Sequence, residues 1–133
     1  MIKKKSVKIV YLGLVGLGTV GTGVVRILQS HSKAIEKKTG IRLVIKKICV
    51  KSLFKKRPAG ISRGVLTRDP KKLLNDPSID IIIEVMGGIH PAKEIIQEAF
   101  LKKKHVVTAN KALLAEHGNF IFKEAARRGR RVG

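Results

Sequence analysis

Cysteine, aromatic residues and acidic side chains are all scarce in this sequence of 133 residues. Its one cysteine, Cys49, excludes a disulfide within the chain and predicts a cytoplasmic location. No apolar run approaches the roughly 18 residues that a membrane-spanning helix needs, so no membrane partner is predicted. Residues 1–10 are basic but lack the long apolar core and the cleavage site of a signal peptide.

The shortage of carboxylates leaves a large excess of positive charge. Nine Asp and Glu residues oppose 29 Lys and Arg residues, which gives a formal net charge of +20. This charge suits a polyanion such as nucleic acid, or else it belongs to a lysine-rich solvated surface or to a fragment of a more acidic protein. Single-strand binding favours aromatic side chains among the cations, and only Phe54 stands in such a place. We therefore expect non-specific binding at low salt and no specific nucleic-acid partner.

Apolar segments typical of buried strands alternate with segments of helical periodicity. Strands are predicted at residues 7–15, 41–50, 65–67, 79–86 and 105–108, and a basic loop at 52–64. Helices are predicted at residues 19–32, 70–74, 91–104 and 112–128, the last one broken or bent near Gly118. This alternation predicts an α/β fold, a Rossmann-type doubly wound parallel sheet with helices on both faces. Residues 1–133 are expected to form one domain.

Three glycines, Gly16, Gly18 and Gly21, stand between the first predicted strand and the first predicted helix. Their G-x-G-x-x-G spacing inside a strand–helix–strand unit is typical of dinucleotide binding. Gly16 permits the tight turn, Gly18 lets the backbone approach a pyrophosphate, and Gly21 lets the helix pack closely on the strand. The free N–H groups of the helix start would attract the phosphates. A glycine-rich turn without a ligand is the alternative.

The end of the second predicted strand separates the two nicotinamide dinucleotides. NAD-binding domains place an Asp or Glu there to hold the ribose 2′-hydroxyl. Here no carboxylate lies between Thr39 and Arg68, and the strand is followed by Lys51 and by the cations of residues 55–57. A cation suits the 2′-phosphate of NADP, so NADP is predicted as the preferred cofactor, with NAD possible. Lysines that are merely solvated are the alternative.

Other residues with reactive side chains give weaker signals. Cys49 lies within a predicted strand and is expected in the core. The four histidines show no metal-ligand spacing, so no metal site is predicted, and His90 is expected at most to cap a helix. Glu84 stands near the end of a strand, where open α/β sheets bind ligands, although it could equally face helix packing or pair with a lysine.

Three stretches together resemble the cofactor-binding half of the homoserine dehydrogenases. They are GLVGLGTVGTGVV at residues 13–25, IDIIIEVMGG at 79–88 and HPAKEIIQEAFLKKKHVVTANKALLAEHG at 90–118. The resemblance implies a reversible, nicotinamide-dependent interconversion of L-aspartate-4-semialdehyde and L-homoserine, on the route to threonine and methionine. It also implies positions at the cofactor, beside those of the three glycines: Leu17, Thr19, Val20, Lys51, Gly87, Thr108 and Lys111, the last at the nicotinamide end.

The same resemblance extends only to the N-terminal half of that family. It implies that the catalytic Lys and Asp lie in a substrate domain of the same parent chain, after Gly133. No catalytic residue is therefore predicted in this chain, and the chain alone is expected to be inactive. The sequence ends where another strand is expected. Another amino-acid or semialdehyde dehydrogenase with the same front half, and a basic nucleic-acid-binding module, are the alternatives.

Overall fold

The computed structural model describes residues 6–57 and 60–133. The cations at residues 3–5 and Pro58 of the predicted basic loop lie outside the described residues. The elements of the described part of the chain are β1 (Lys8–Val15), α1 (Thr19–Thr39), β2 (Ile41–Cys49), β3 (Leu66–Thr67), α2 (Lys71–Leu74), β4 (Ile79–Glu84), α3 (Ala92–Leu101), β5 (His105–Thr108) and α4 (Lys111–Arg127). A 3₁₀ turn at Arg63–Val65, rather than an α-helix, precedes β3.

The five strands form one parallel sheet in the order β3-β2-β1-β4-β5. The chain moves outward from β1 through β2 to β3, and then returns to the other side of β1 for β4 and β5. This reversal creates a switch point between β1 and β4, where open α/β sheets bind ligands at the carboxyl ends of their strands. The predicted α/β doubly wound fold is confirmed.

Helices cover both faces of the sheet because the side chains of each strand alternate between them. On one face, Val25 of α1 packs with Leu12 and Leu14 of β1. On the opposite face, Leu73 of α2 belongs to the same buried cluster as Ile82 of β4. That cluster also includes residues of α3 and α4. Each fully buried aliphatic side chain stabilises the fold by about 1.5–3 kcal/mol.

Helix α1 differs from its prediction in where it ends, and helix α4 differs in its continuity. Helix α1 does not end at residue 32 but continues to Thr39, where Gly40 adopts a left-handed φ of 73° and its N–H donates to the carbonyl of Glu36 at 2.8 Å. Helix α4 is not broken at Gly118, which is buried within the continuous helix. Leu113 and Ile121 hold this helix on the core, and their packing offsets the poor helix propensity of glycine.

The lysines at residues 102–104 do not form the last turn of α3, which ends at Leu101. Lys103 has a φ of 60°, which turns the chain away from the helix axis. Lys104 then points inward, only 2% exposed, and its Nζ donates to the carbonyl oxygens of Asp76 at 2.6 Å and Ile79 at 2.7 Å. Burial lowers the pKa of Lys104. Its role is to join the start of β4 to the start of β5.

The structure also differs from the prediction at the end of β4, and it shows a further pairing beside β5. Strand β4 ends at Glu84 rather than at residue 86, since Gly87 and Gly88 turn the chain with φ values of 76° and 75°. Beyond α4, Val132 pairs in parallel with Val106 of β5, so the chain begins a further extended segment where one was expected. No helix in the described part of the chain is long and apolar enough to cross a membrane.

Candidate functional site

The carboxyl ends of four strands lie side by side at one edge of the sheet. Cys49, Val15, Glu84 and Thr108 are register partners across β2, β1, β4 and β5. The segments that leave this row therefore meet beside the switch point. They are the glycine turn after β1, the basic loop after β2, the turn with two glycines after β4 and the start of α4 after β5.

The three glycines of the turn occupy different surroundings. A Cβ on Gly16, whose φ is 104°, would lie 2.9 Å from the backbone of Met86. A Cβ on Gly21 would lie 2.3 Å from the carbonyl oxygen of Gly16. A Cβ on Gly18 would meet nothing within 4 Å. The chain's own packing thus requires the first and third glycines, whereas the bare side of Gly18 is open, as the approach of a pyrophosphate demands.

The start of α1 suits an anion. Gly18 is the N-cap residue, so no side chain caps the helix, and the first turn contains no acidic residue. The first N–H groups of a helix have no partner within the helix, and the helix dipole places partial positive charge there. A diphosphate would therefore find donors and a favourable potential at this turn.

A cavity of about 620 Å³ lies against the glycine turn. It extends from Gly16, Leu17 and Gly18 to the end of β2 and to the connection between β4 and α3. Four cationic residues line it, namely Lys51, Lys55, Arg57 and Arg68, and none of its described lining residues is acidic. The cavity therefore favours an elongated ligand with negative charge at the β2 side.

Arg57 joins the basic loop to the glycine turn. Its guanidinium donates to the carbonyl of Ser52 at 2.6 Å and to the carbonyl of Leu17 at 3.3 Å. Sequence analysis identified the cations that follow β2 but missed Arg68, which follows the two-residue strand β3. The sequence predicted the strand at residues 65–67 that precedes Arg68, but only the structure shows the pairing of β3 with β2, which brings both strand ends to one edge.

The structure gathers only part of the predicted site around this cavity. Gly16, Leu17, Gly18 and Lys51 line it. The others lie at the same edge of the sheet but not in the lining: Thr19, Val20 and Gly21 in the first turn of α1, Gly87 after β4, Thr108 at the end of β5 and Lys111 at the start of α4. Thr19, Val20 and Lys111 are exposed. The cofactor contacts of all these residues stay predictions.

A buried polar network lies at the β4–β5 side of the edge. Glu84 is 0% exposed, and its carboxylate accepts from the N–H of Met86 at 3.0 Å and from the hydroxyl of Thr108 at 2.7 Å. The Thr108 oxygen accepts from the N–H of Asn110 at 3.1 Å. The Asn110 amide in turn donates to the carbonyl of Gly88. Glu84 thus belongs to this hydrogen-bond network, and no lysine within residues 6–57 and 60–133 forms an ion pair with it.

Two other residues differ from expectation. Cys49 is only half-buried and lines the cavity. Burial, and to a smaller extent the charge of Asp69, raises the pKa of its thiol, so the thiol stays protonated near neutral pH. His90 does not cap α3, whose N-cap is Pro91, but contacts the carboxylate of Glu94. Within residues 6–57 and 60–133, no three His, Cys, Asp or Glu residues cluster as metal ligands would.

Comparison with known proteins gives one consistent result. A family model described as "Homoserine dehydrogenase, NAD binding domain" matches residues 16–133. The homoserine dehydrogenase of Bacillus subtilis is 43% identical over 122 residues, which are 92% of this chain and 28% of that protein. That of Synechocystis is 43% identical over 126 residues, covering 90% of this chain and 27% of that protein. The chain thus spans little more than a quarter of these relatives.

Solved structures agree with the sequence relatives. The structure of S. aureus homoserine dehydrogenase at pH 8.5 superposes with a TM-score of 0.90 and 44% identity, covering 95% of this chain and 32% of that one. A hyperthermophilic archaeal homoserine dehydrogenase in complex with NADPH has a TM-score of 0.74 at 19% identity, covering 93% of this chain and 43% of that one. At that identity the likeness shows the fold alone.

Proposed function

This chain belongs to the homoserine dehydrogenase NAD-binding domain family, and we propose that it is the NADP(H)-binding domain of an enzyme that interconverts L-homoserine and L-aspartate-4-semialdehyde. One observation carries the proposal. The segment matched by the family contains the glycine turn, and the bare side of Gly18 there adjoins a cavity lined by cations. When bound, the nicotinamide ring would carry the hydride that the reaction transfers.

The proposal includes a division of labour within a longer parent chain. Residues 1–133 would form the cofactor domain, and a substrate domain of the same parent chain would supply the catalytic groups. Relatives that are three to four times as long as their matched part support this view. The chain alone would then turn over no homoserine. Synthesis of threonine and methionine, and a cytoplasmic location, belong to the same proposal.

Each end of the cofactor is assigned to a different side of the switch point. The diphosphate would lie at the glycine turn, against the first N–H groups of α1. The 2′-phosphate of NADP would face Lys51 and the other cations of the cavity, since charge-assisted hydrogen bonds favour a phosphate over a bare hydroxyl there. The nicotinamide end would reach Gly87, Thr108 and Lys111. NAD, which lacks the extra phosphate, would bind more weakly.

Calorimetric titration with NADPH and NADH tests the cofactor assignment. We expect the unmodified chain to bind NADPH at least about tenfold more tightly, the value of roughly one charge-assisted hydrogen bond. Lys51→Glu should lower this ratio about tenfold or more, because it replaces attraction to the 2′-phosphate by repulsion. Lys123→Glu makes the same charge change at an exposed position of α4 and should leave the ratio of the two affinities unchanged. Equal binding of NADH by the unmodified chain would contradict the NADP assignment.

A further inference from the structure

The network around Glu84 fixes the direction of each hydrogen bond in it. The Thr108 hydroxyl donates its single hydrogen to Oε1 of Glu84 at 2.7 Å. The N–H of Asn110 also points at the Thr108 oxygen, which accepts it at 3.1 Å. The Thr108 hydroxyl can therefore accept a further hydrogen bond but cannot donate one. Thr108 is only half-buried at the end of β5, so this acceptor belongs to the edge of the sheet.

The same edge dictates which part of a dinucleotide this acceptor would meet. The cations at the β2 side would hold the end that carries the 2′-phosphate, and the glycine turn beside β1 would hold the diphosphate. The remaining end of an extended dinucleotide must therefore lie over β4 and β5, where Thr108 stands. The hydrogen-bond donor of a nicotinamide ring is the NH₂ of its carboxamide.

We propose that Glu84 is a positioning residue that holds the Thr108 hydroxyl as an acceptor for the carboxamide NH₂ of the nicotinamide ring. This inference rests on the proposed function and adds the polarity of one contact. The network also holds the two segments around that contact in place. Glu84 binds the N–H of Met86 before the double-glycine turn, and Asn110 joins Gly88 to the first turn of α4 by accepting from the N–H of Leu113 at 3.1 Å.

The substitution Glu84→Gln reverses this polarity while preserving the shape of the side chain. The N–H of Met86 needs an acceptor, so the new amide must turn its oxygen toward Met86 and its NH₂ toward Thr108. The Thr108 oxygen then accepts from that NH₂, and its own hydrogen is released toward the cofactor. A hydroxyl that donates outward no longer favours an NH₂ group.

The test compares NADP⁺ with its 3-acetylpyridine analogue, in which a methyl group replaces the carboxamide NH₂. Calorimetry on the full chain should show the analogue bound about fivefold more weakly, the loss of one neutral hydrogen bond. Thr108→Val and Glu84→Gln should each bring the ratio of the two Kd values close to one. Thr108→Ser, which keeps the hydroxyl, and Glu116→Gln, which changes an exposed carboxyl on α4, should keep it.

The outcomes separate this inference from the function on which it rests. If the unmodified chain binds neither compound, the proposed function fails and the inference fails with it. If both compounds bind equally to the unmodified chain, or if folded Glu84→Gln keeps the fivefold ratio, only the inference is overturned. Should Glu84→Gln not fold, an unchanged ratio in Thr108→Val overturns the inference as well. A purely structural role for Glu84 would weaken both compounds alike and leave their ratio intact.

Discussion

At the scale of single residues, the glycines of the turn differ in why they are glycines: two are required by the packing of the chain, and the third leaves its backbone accessible to a ligand. Gly16 and Gly21 leave no room for a side chain against the backbone of the chain itself. Gly18 has room for a Cβ, and its φ of −84° is not in the left-handed region that favours glycine. The spacing in the sequence predicted that Gly16 and Gly21 serve the turn and the packing of the helix, and the approach of a pyrophosphate to Gly18 stays a prediction.

Substitution of Gly18 should therefore affect binding rather than folding. Gly18→Val is expected to retain the circular dichroism spectrum of the unmodified chain, since a Cβ at this position meets nothing within 4 Å. We expect its affinity for NADPH to fall by about tenfold or more, because the side chain keeps a diphosphate from the backbone. A folded variant that binds NADPH normally would show that the turn is structural only.

Gly21 should behave in the opposite way. The Cβ of Gly21→Ala would lie 2.3 Å from the carbonyl oxygen of Gly16, so α1 must move, and we expect a loss of about 2–4 kcal/mol in the free energy of unfolding. Gly23→Ala is the matched control in the same helix, because a Cβ there meets nothing within 4 Å. It should stabilise the chain by about 0.5–1 kcal/mol. Denaturant unfolding of both variants measures the contrast; equal stabilities would contradict it.

Not every site residue was accessible from the sequence. Of the two partners of Glu84, the N–H of Met86 is local, but the hydroxyl of Thr108 is brought to it by the β4–β5 register, which no local pattern specifies. Arg68 joins the cavity because a strand of only two residues happens to lie beside β2. Both depend on contacts between distant segments, whereas the glycine turn and Lys51 depend on local order along one strand–helix–strand unit.

At the scale of elements, side chains in the connections decide where neighbouring elements meet. The alternation of strands and helices was predictable, because burial imposes different periods on the two. The ends of the elements were not predictable, because Gly40 ends α1 only after a polar stretch without a strong apolar stripe and Lys104 is buried despite its charge.

Asp76, in the connection from α2 to β4, shows how such a connection is held in place. It accepts from Ser78 N–H at 2.9 Å and pairs with Lys46 of β2 at 2.8 Å.

The hydrogen bonds from Lys46 and then Ser78 lower the pKa of Asp76 to about 2. An unfolded Asp has a pKa near 4, so the native state binds fewer protons between these values. The stabilisation is present above about pH 4 and is lost as the pH falls toward 2. We expect Asp76→Asn to cost about 1–2 kcal/mol at pH 7, after allowance for the partly exposed Lys46, and the difference from the unmodified chain to shrink between pH 4 and 2.

Denaturant unfolding at several pH values tests this expectation. Glu116→Gln provides the control, because its carboxyl is 61% exposed on α4 and contributes little to stability. A gap between Asp76→Asn and the unmodified chain that stays constant down to pH 2 would show that the ion pair with Lys46 is not its source.

At the scale of the whole molecule, the net charge of +20 predicts non-specific binding to polyanions at low salt. Non-specific binding to a single-stranded oligonucleotide should weaken about tenfold or more between 50 and 200 mM salt, since several phosphates release counterions. Binding of NADPH involves fewer phosphates and fixed contacts, so it should weaken only a few-fold over the same range. Fluorescence titrations at both salt concentrations measure the two slopes. Tight oligonucleotide binding that survives 200 mM salt would instead favour the nucleic-acid alternative.

The central claim, that this molecule holds a nicotinamide dinucleotide at the carboxyl edge of its sheet, is tested most directly by mapping backbone amide chemical shifts during an NADPH titration. The account predicts the largest changes at residues 16–21, at Lys51, at Gly87 and at residues 108–111. A non-specific anion would instead perturb the exposed lysines at residues 102–103 and the cationic segment at residues 127–131, which lie at the opposite ends of β5 and α4. Changes confined to those segments, with the glycine turn unmoved at saturating NADPH, would contradict the account.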